Sequence, residues 1–202
     1  MHCRVQIKGK KAHGAYNWLG VNAIEIAARV INRLKKHQFK VKKNKYHAMP
    51  TKNIGTIRGG DKTNIVSDFC EFTLDVRFLP GMKGEDVIKE IKNVITQETK
   101  DFTFIIDDLQ APYEIDPKHP FVQTYVNTCQ QMKYKANLKG SEGATVITFF
   151  QDHNIPAFST GWGASGTMHS TDEYCEISTL YKGARVLEQF LKDWDNKVTS
   201  DT

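Results

Sequence analysis

The sequence predicts an α+β domain over residues 1–111 followed by an incomplete α/β unit over residues 112–202. Three observations carry that reading. Cys70, Phe72, Leu74, Val76 and Phe78 alternate with Glu71, Thr73, Asp75 and Arg77, the period of a strand with one buried face. Two stretches, from about Val21 to His37 and just after Glu85, repeat apolar residues at the spacing of an amphipathic helix. Beyond Pro112 a single strand pattern stands among three helical ones, and one strand does not make a sheet.

Taken in order, Cys3, Val5 and Ile7 alternate with Arg4, Gln6 and Lys8 as a first strand that Gly9 ends. Ala23, Ala27, Val30, Ile31 and Leu34 form the stripe of the first helix, and a Lys-rich loop runs to Pro50. Ile54 and Ile57, closed by Gly59-Gly60, mark a second strand, and the alternating segment from Cys70 is the third, ended by Pro80-Gly81. Glu85 and Asp86 suit the positive end of a second helix carrying Val87, Ile88, Ile91, Val94 and Ile95 inward, and Phe102 to Ile106 is a fourth strand. The order strand, helix, strand, strand, helix, strand is that of a ferredoxin-like (βαββαβ) sandwich, with two helices on one face of an antiparallel sheet. The remainder reads as a helix from Pro120 to Met132, a short helix through Phe149-Phe150, a buried strand Ile155 to Ser159, a glycine-rich loop, and a helix from Ile177 to about Trp194.

Composition excludes several classes. With 40% hydrophobic and 25% charged residues, the chain has the make-up of a soluble globular protein. It has no apolar run of membrane-spanning length, and the alternating polarity of its first residues is not that of a secretion signal, so the expected compartment is the cytoplasm. Cys3, Cys70, Cys129 and Cys175 are far apart, which argues for reduced thiols rather than a disulfide framework or a CxxC metal knuckle. The net charge of +5 is unevenly spread: residues 1–47 carry 12 Lys/Arg against Glu25 alone, and the rest is acidic. Such a segment is either an anion-binding surface or a solvated helix end and loop.

Gly161-Trp162-Gly163-Ala164-Ser165-Gly166 matches GxGxxG, but Thr167 to Glu173 separates it from the next helix, against dinucleotide binding. Ser170 and Glu173 have capping-box spacing, which leaves His169 and the glycines unexplained. A histidine in a glycine-rich loop beyond a strand suits a metal or ligand site, although single histidines are commonly surface residues. His13, in Lys10-Lys11-Ala12-His13-Gly14, could be a turn residue, Asn64 a turn former, and Arg77 a partner for Asp75 on the same polar face. HExxH, GxSxG and Walker-type motifs are absent.

The combination resembles the M20 family of metallopeptidases and deacylases, of the acetylornithine deacetylase and succinyl-diaminopimelate desuccinylase type. The likeness lies in Gly9-Lys10-Lys11-Ala12-His13-Gly14 with Gly20-Val21-Asn22-Ala23-Ile24, in Gly59-Gly60 to Asn64-Ile65-Val66, and in Leu74-Asp75-Val76-Arg77-Phe78 with Pro80-Gly81. It continues through Gly143-Ala144-Thr145, Ile155-Pro156-Ala157-Phe158 and His169-Ser170 to Asp172-Glu173-Tyr174. The resemblance implies a dimerisation (lid) domain over 1–111 and the C-terminal part of a zinc-hydrolase catalytic domain over 112–202. It implies two zinc ions and hydrolysis of the amide of an N-acyl amino acid or dipeptide. It further implies His169 as a metal ligand, His13 as the group that stabilises the oxyanion in the partner subunit's site, and Asn64, Arg77 and Thr145 as substrate-binding residues. Val146 stands where many members carry aspartate.

The family's His-x-Asp pair, Glu-Glu pair and further acidic ligand all precede the first strand and have no counterpart here, and one histidine cannot hold a catalytic zinc. The expectation is therefore part of a longer enzyme, incomplete for catalysis, that forms a homodimer through its first domain. The alternatives are a complete, non-catalytic dimeric binding or regulatory module, or a nucleic-acid-binding module. The acidic outer face Glu71, Thr73 and Asp75 repels phosphate and disfavours the last, and no membrane partner is expected.

Overall fold

The alternation of Cys3, Val5 and Ile7 builds strand β1 (His2–Lys8), in which those three side chains are at most 1% exposed. In the computed structural model, which describes residues 1–41, 45–141, 146–163, 166 and 170–200, the chain divides into two units, Met1–Pro112 and Tyr113–Thr202. The first unit continues with α1 (Ala23–Lys36), β2 (Thr51–Gly59), β3 (Phe69–Arg77), α2 (Gly84–Thr96) and β4 (Phe102–Asp108). The sheet order is β2-β3-β1-β4 with every neighbour antiparallel. Each helix therefore connects two parallel strands that have an antiparallel strand between them.

Register places Val5 between Phe72 of β3 and Phe104 of β4. Cys70, Phe72, Leu74 and Val76 meet Ala27, Val30 and Leu34 of α1 and Val87, Ile91 and Ile95 of α2 in one buried cluster, so both helices cover the same sheet face. Each large side chain buried there contributes about 1.5–3 kcal/mol relative to exposure. The opposite face is polar, and its partners are paired: Gln6 Nε2 donates to Glu71 at 2.8 Å, and Arg4 Nε donates to Asp107 at 2.9 Å.

α1 starts at Ala23, the first residue of its apolar stripe and two positions after the expected Val21, because Asn22 caps it, its Oδ1 accepting from the backbone N–H groups of Ile24 and Glu25. β2 is longer than its sequence pattern. Its pairing with β3 persists across a register shift between Ile54 and Ile57, where the Thr56 N–H bonds the Thr73 hydroxyl at 2.8 Å. Gly14–Leu19, which reads as loop, forms a 3-10 helix.

The second unit contains α3 (Pro120–Gln131), α4 (Ile147–Asp152) and α5 (Ile177–Ser200). Its core is an aromatic cluster in which Tyr125 and Cys129 of α3 face Val186 and Phe190 of α5, ringed by Phe121, Phe158, Trp162 and Trp194. The expected buried strand Ile155 to Ser159 is not formed. Ile155 is 49% exposed, only Phe158 turns into the aromatic cluster, and the Ala157 N–H donates to the Tyr113 hydroxyl at 2.8 Å rather than to a neighbouring strand. The Ser170 and Glu173 spacing does not cap a helix either, since α5 begins at Ile177. No helix among the described residues is long and apolar enough to cross a membrane.

Candidate functional site

Beyond the end of β1 the chain runs antiparallel to two other segments at once. Lys10 and Val21 exchange backbone hydrogen bonds at 2.8 and 3.0 Å. On the other side, Gly9 N donates to Asp68 O at 2.7 Å, Val66 N to Ala12 O at 2.9 Å and Gly14 N to Asn64 O at 2.8 Å. This platform brings His13 and Asn64 together, with His13 bridged to Ile65. Gly9 is dictated by space: a Cβ there would lie 2.2 Å from the Val21 carbonyl oxygen and 2.9 Å from that of Ser67. Lys11 clamps the far segment, its ammonium 3.2 Å from Asp61 and 3.6 Å from Asp68, and its bond to Asp61 holds the amine above the ordinary lysine range. A cleft of about 360 Å³ opens beside the clamp, lined by Arg58, Gly59, Gly60 and Phe69 as well.

His13 occupies the cap position of the 3-10 helix, and its Nδ1 accepts from Ala15 N at 3.1 Å. A ring nitrogen that accepts carries no proton, so the neutral ring is the Nε2–H tautomer. No described residue accepts from Nε2, and the ring is exposed. In that tautomer the site presents one oriented donor. From it an aromatic series extends along the 3-10 helix, with Tyr16 5.9 Å from the His13 ring and Trp18 edge-on to Tyr16 at 5.6 Å. Tyr16 and Trp18 are 55% and 71% exposed. Sequence reasoning missed both these aromatics and the Lys11 clamp. Tyr16 and Trp18 fall in a stretch without periodicity, and Lys11 reaches acids 50 or more residues away.

The structure does not bring Arg77 to this pair. Arg77 closes β3 at the end opposite the Asn64 loop, about 26 Å along the strand from Phe69 at the usual rise. Its Nε lies 3.0 and 3.1 Å from the two Asp75 oxygens, and His2 approaches the same carboxylate at 3.5 Å. Thr145 and His169 lie outside the described residues. Among the described residues no three His, Cys, Asp or Glu side chains converge on one point, so they do not of themselves fit a zinc ion.

A family model for a peptidase dimerisation domain of the M20 group matches residues 1–103. The chain belongs to the M20 peptidase family. Among curated relatives it is similar to the acetylornithine deacetylase of Vibrio atlanticus, with 28% identity over 200 residues that cover 94% of this chain and 51% of the relative. The Klebsiella pneumoniae acetylornithine deacetylase is 28% identical over 196 residues, or 92% and 49% of the two chains. Among solved structures, the M20 chain is similar to aminopeptidase PepT of Bacillus cereus, with a TM-score of 0.76 and 22% identity over 95% of this chain and 51% of that one. An M20 metallo-carboxypeptidase of Sulfolobus solfataricus gives 0.69 and 16% over 95% and 57%. At those identities the structural likenesses speak for the fold alone. The chain spans about half the length of the curated relatives it matches.

Proposed function

We propose that the chain is the C-terminal half of a zinc-dependent M20 amide hydrolase acting on an N-acyl amino acid or a dipeptide. In this reading residues 1–111 are a ferredoxin-like dimerisation lid, and residues 112–202 complete a catalytic domain whose remaining ligands and general base lie in sequence this chain does not span. The split connections of the four-stranded sheet support the ferredoxin-like assignment. The names of the relatives support amide hydrolysis, and the family model for residues 1–103 supports a homodimer.

The observation that carries the reading is the state of His13. Backbone pairing on both sides holds the segment, and the Ala15 N–H blocks Nδ1, so an exposed Nε2–H is fixed before any substrate arrives. A preset neutral donor is suited to an oxygen that gains negative charge in the transition state, where removal of one such donor costs about 10²–10³ in kcat. The exposed apolar residues flanking this platform, among them Trp18, Leu19 and Ile65, fit a segment that enters another subunit. His169 would supply one metal ligand and Thr145 would meet the substrate, with Asn64 and Arg77, which lie at opposite ends of β3 in one subunit, reaching the same substrate from different subunits of the dimer.

The test is hydrolysis of N-acyl amino acids and dipeptides by the enzyme completed with the missing half and loaded with zinc. His13→Ala is expected to lower kcat about 10²–10³-fold with a small change in KM. Unchanged turnover would remove the role assigned to His13.

A further inference from the structure

The cleft beside the Lys11 clamp carries charges and an aromatic ring that none of the roles above employs. Arg58 stands opposite Glu71 in the register of β2 with β3, and Phe69 lies two residues before Glu71, so Arg58 and Phe69 are diagonal neighbours on the polar face of the sheet. Gln6 engages the Glu71 carboxylate at 2.8 Å, and the Arg58 guanidinium has no ion pair among the described residues. Gly60 turns the chain at φ +78°, and the Gly59-Gly60 corner lays no side chain over the Phe69 ring, which is 44% exposed. The same cleft is lined by the clamp, where one ammonium faces two carboxylates: Lys11 lies 3.2 Å from Asp61 and 3.6 Å from Asp68. The clamp therefore keeps one net negative charge, and Arg58 offers one positive charge to the same space of about 360 Å³.

We propose that this cleft binds a free α-amino acid with an apolar side chain. Arg58 takes the carboxylate through its fork of N–H donors, the excess charge of the clamp takes the ammonium, and the side chain lies on the Phe69 ring. The volume of about 360 Å³ is at the small end of ligand clefts and suits one amino acid rather than a longer peptide. A phosphate ester would bring two negative charges to one guanidinium beside two carboxylates, and a simple amine would leave Arg58 unmatched, whereas a zwitterion answers both charges. The inference stands on the cleft and is independent of the hydrolase reading. An inactive completed enzyme would leave it as it is, and an empty cleft would leave the hydrolase reading as it is.

The 202-residue chain is titrated with phenylalanine, and separately with phenylacetate and phenethylamine, which each lack one of its two charges, while backbone amide shifts are followed by NMR. Phenylalanine is expected to move the amides of residues 58–61, 68 and 69 saturably and to bind at least about fivefold tighter than either fragment. Arg58→Gln should weaken phenylalanine and phenylacetate about tenfold or more and leave phenethylamine unchanged. Asp61→Asn should weaken phenylalanine and phenethylamine but tighten phenylacetate, because it removes the excess negative charge of the clamp. Arg58→Lys, which keeps the charge without the fork, should fall between the parent and Arg58→Gln. Lys36→Ala, at the far end of α1, should bind as the parent does. The altered side chains are exposed, so the variants should unfold like the parent. If Arg58→Gln does not fold, Arg58→Lys carries the test. The proposal is overturned by the absence of a saturable shift, by shifts centred away from the cleft, by a fragment that binds as tightly as phenylalanine, or by undiminished affinity in the Arg58 variant that is read.

Discussion

Replacing Gly9 by alanine tests whether the platform under His13 is as constrained as its geometry implies. The residue has no positive φ, so backbone strain is not at issue; the added methyl would sit 2.2 Å from Val21 O, 2.9 Å from Ser67 O and 3.0 Å from Ala23 N. All three are backbone atoms, so no side-chain rotation relieves the clash, and the Val21 carbonyl must retreat by roughly 1 Å to reach van der Waals contact. That retreat breaks the pair of hydrogen bonds between Lys10 and Val21. Overpacking at about 1–3 kcal/mol and two backbone hydrogen bonds at about 1 kcal/mol each sum to roughly 3–5 kcal/mol. In urea, with a slope of about 1–3 kcal/mol/M, the midpoint should fall by at least about 1 M. Gly81→Ala is the control: Gly81 has φ +85° and open space around its Cβ position, so its cost is confined to about 1–2 kcal/mol of left-handed strain. If Gly9→Ala is no worse than Gly81→Ala, the platform is softer than the close approach requires and the orientation of His13 needs another cause.

If His13 acts in the partner's site, mixing His13→Ala subunits with His169→Ala subunits of the completed enzyme should restore about a quarter of parental activity, since half the dimers would carry one intact site; no recovery would place His13 in its own subunit's site. Glu98 is held below the usual glutamate range by hydrogen bonds from Arg33 and Arg29. Its contribution is present at neutral pH and lost as pH falls through that lowered value, so Glu98→Gln should destabilise at pH 7 and converge with the parent in acid denaturation. Burial pushes the Cys3 thiol up to about 12. With Cys70 and Cys129 also buried, a thiol reagent at pH 8 should label Cys175 alone until the chain unfolds. The unfolded Cys3 ionises at an ordinary pH and the folded one does not, so stability should decline above about pH 9, as a denaturation series would record.

Much of the first unit was legible because its elements are set by local periodicity. The alternation from Cys70 to Val76 and the stripe from Ala23 to Leu34 each declare a buried face, and those residues form the core. What was not legible depends on contacts distant in sequence. β2 owes its length to the ladder with β3, and the 3-10 helix owes its start to the His13 ring accepting from Ala15 on a segment already pinned by residues 64–68. The run Ile155-Pro156-Ala157-Phe158 misled because apolar residues bounded by turns fit a buried strand and an extended coil equally well. Phe158 alone enters the core, against Phe121, Tyr125 and Phe190. In the candidate site His13 and Asn64, 51 positions apart in sequence, are brought near each other by the backbone hydrogen bond from Gly14 to Asn64, whereas Arg77 is only 13 positions from Asn64 yet lies at the far end of β3.

That contrast bears on how the site is built. His13 is held by main-chain pairing and by a bond from a backbone N–H to its own ring, so its orientation depends little on which side chains surround it. Arg77 is held by a carboxylate two residues away on the same strand face, an arrangement that orients the guanidinium and partly neutralises it. A group that must offer one hydrogen bond to a fleeting charge gains from the first kind of support, because nothing reorganises when the charge appears. A group that binds a carboxylate tolerates the second, since an incoming anion competes with Asp75 for donors the Nε contact leaves available. Asp75→Asn should accordingly tighten substrate binding through a lower KM in the completed enzyme if Arg77 meets the substrate, and leave KM unchanged if Arg77 serves the sheet alone.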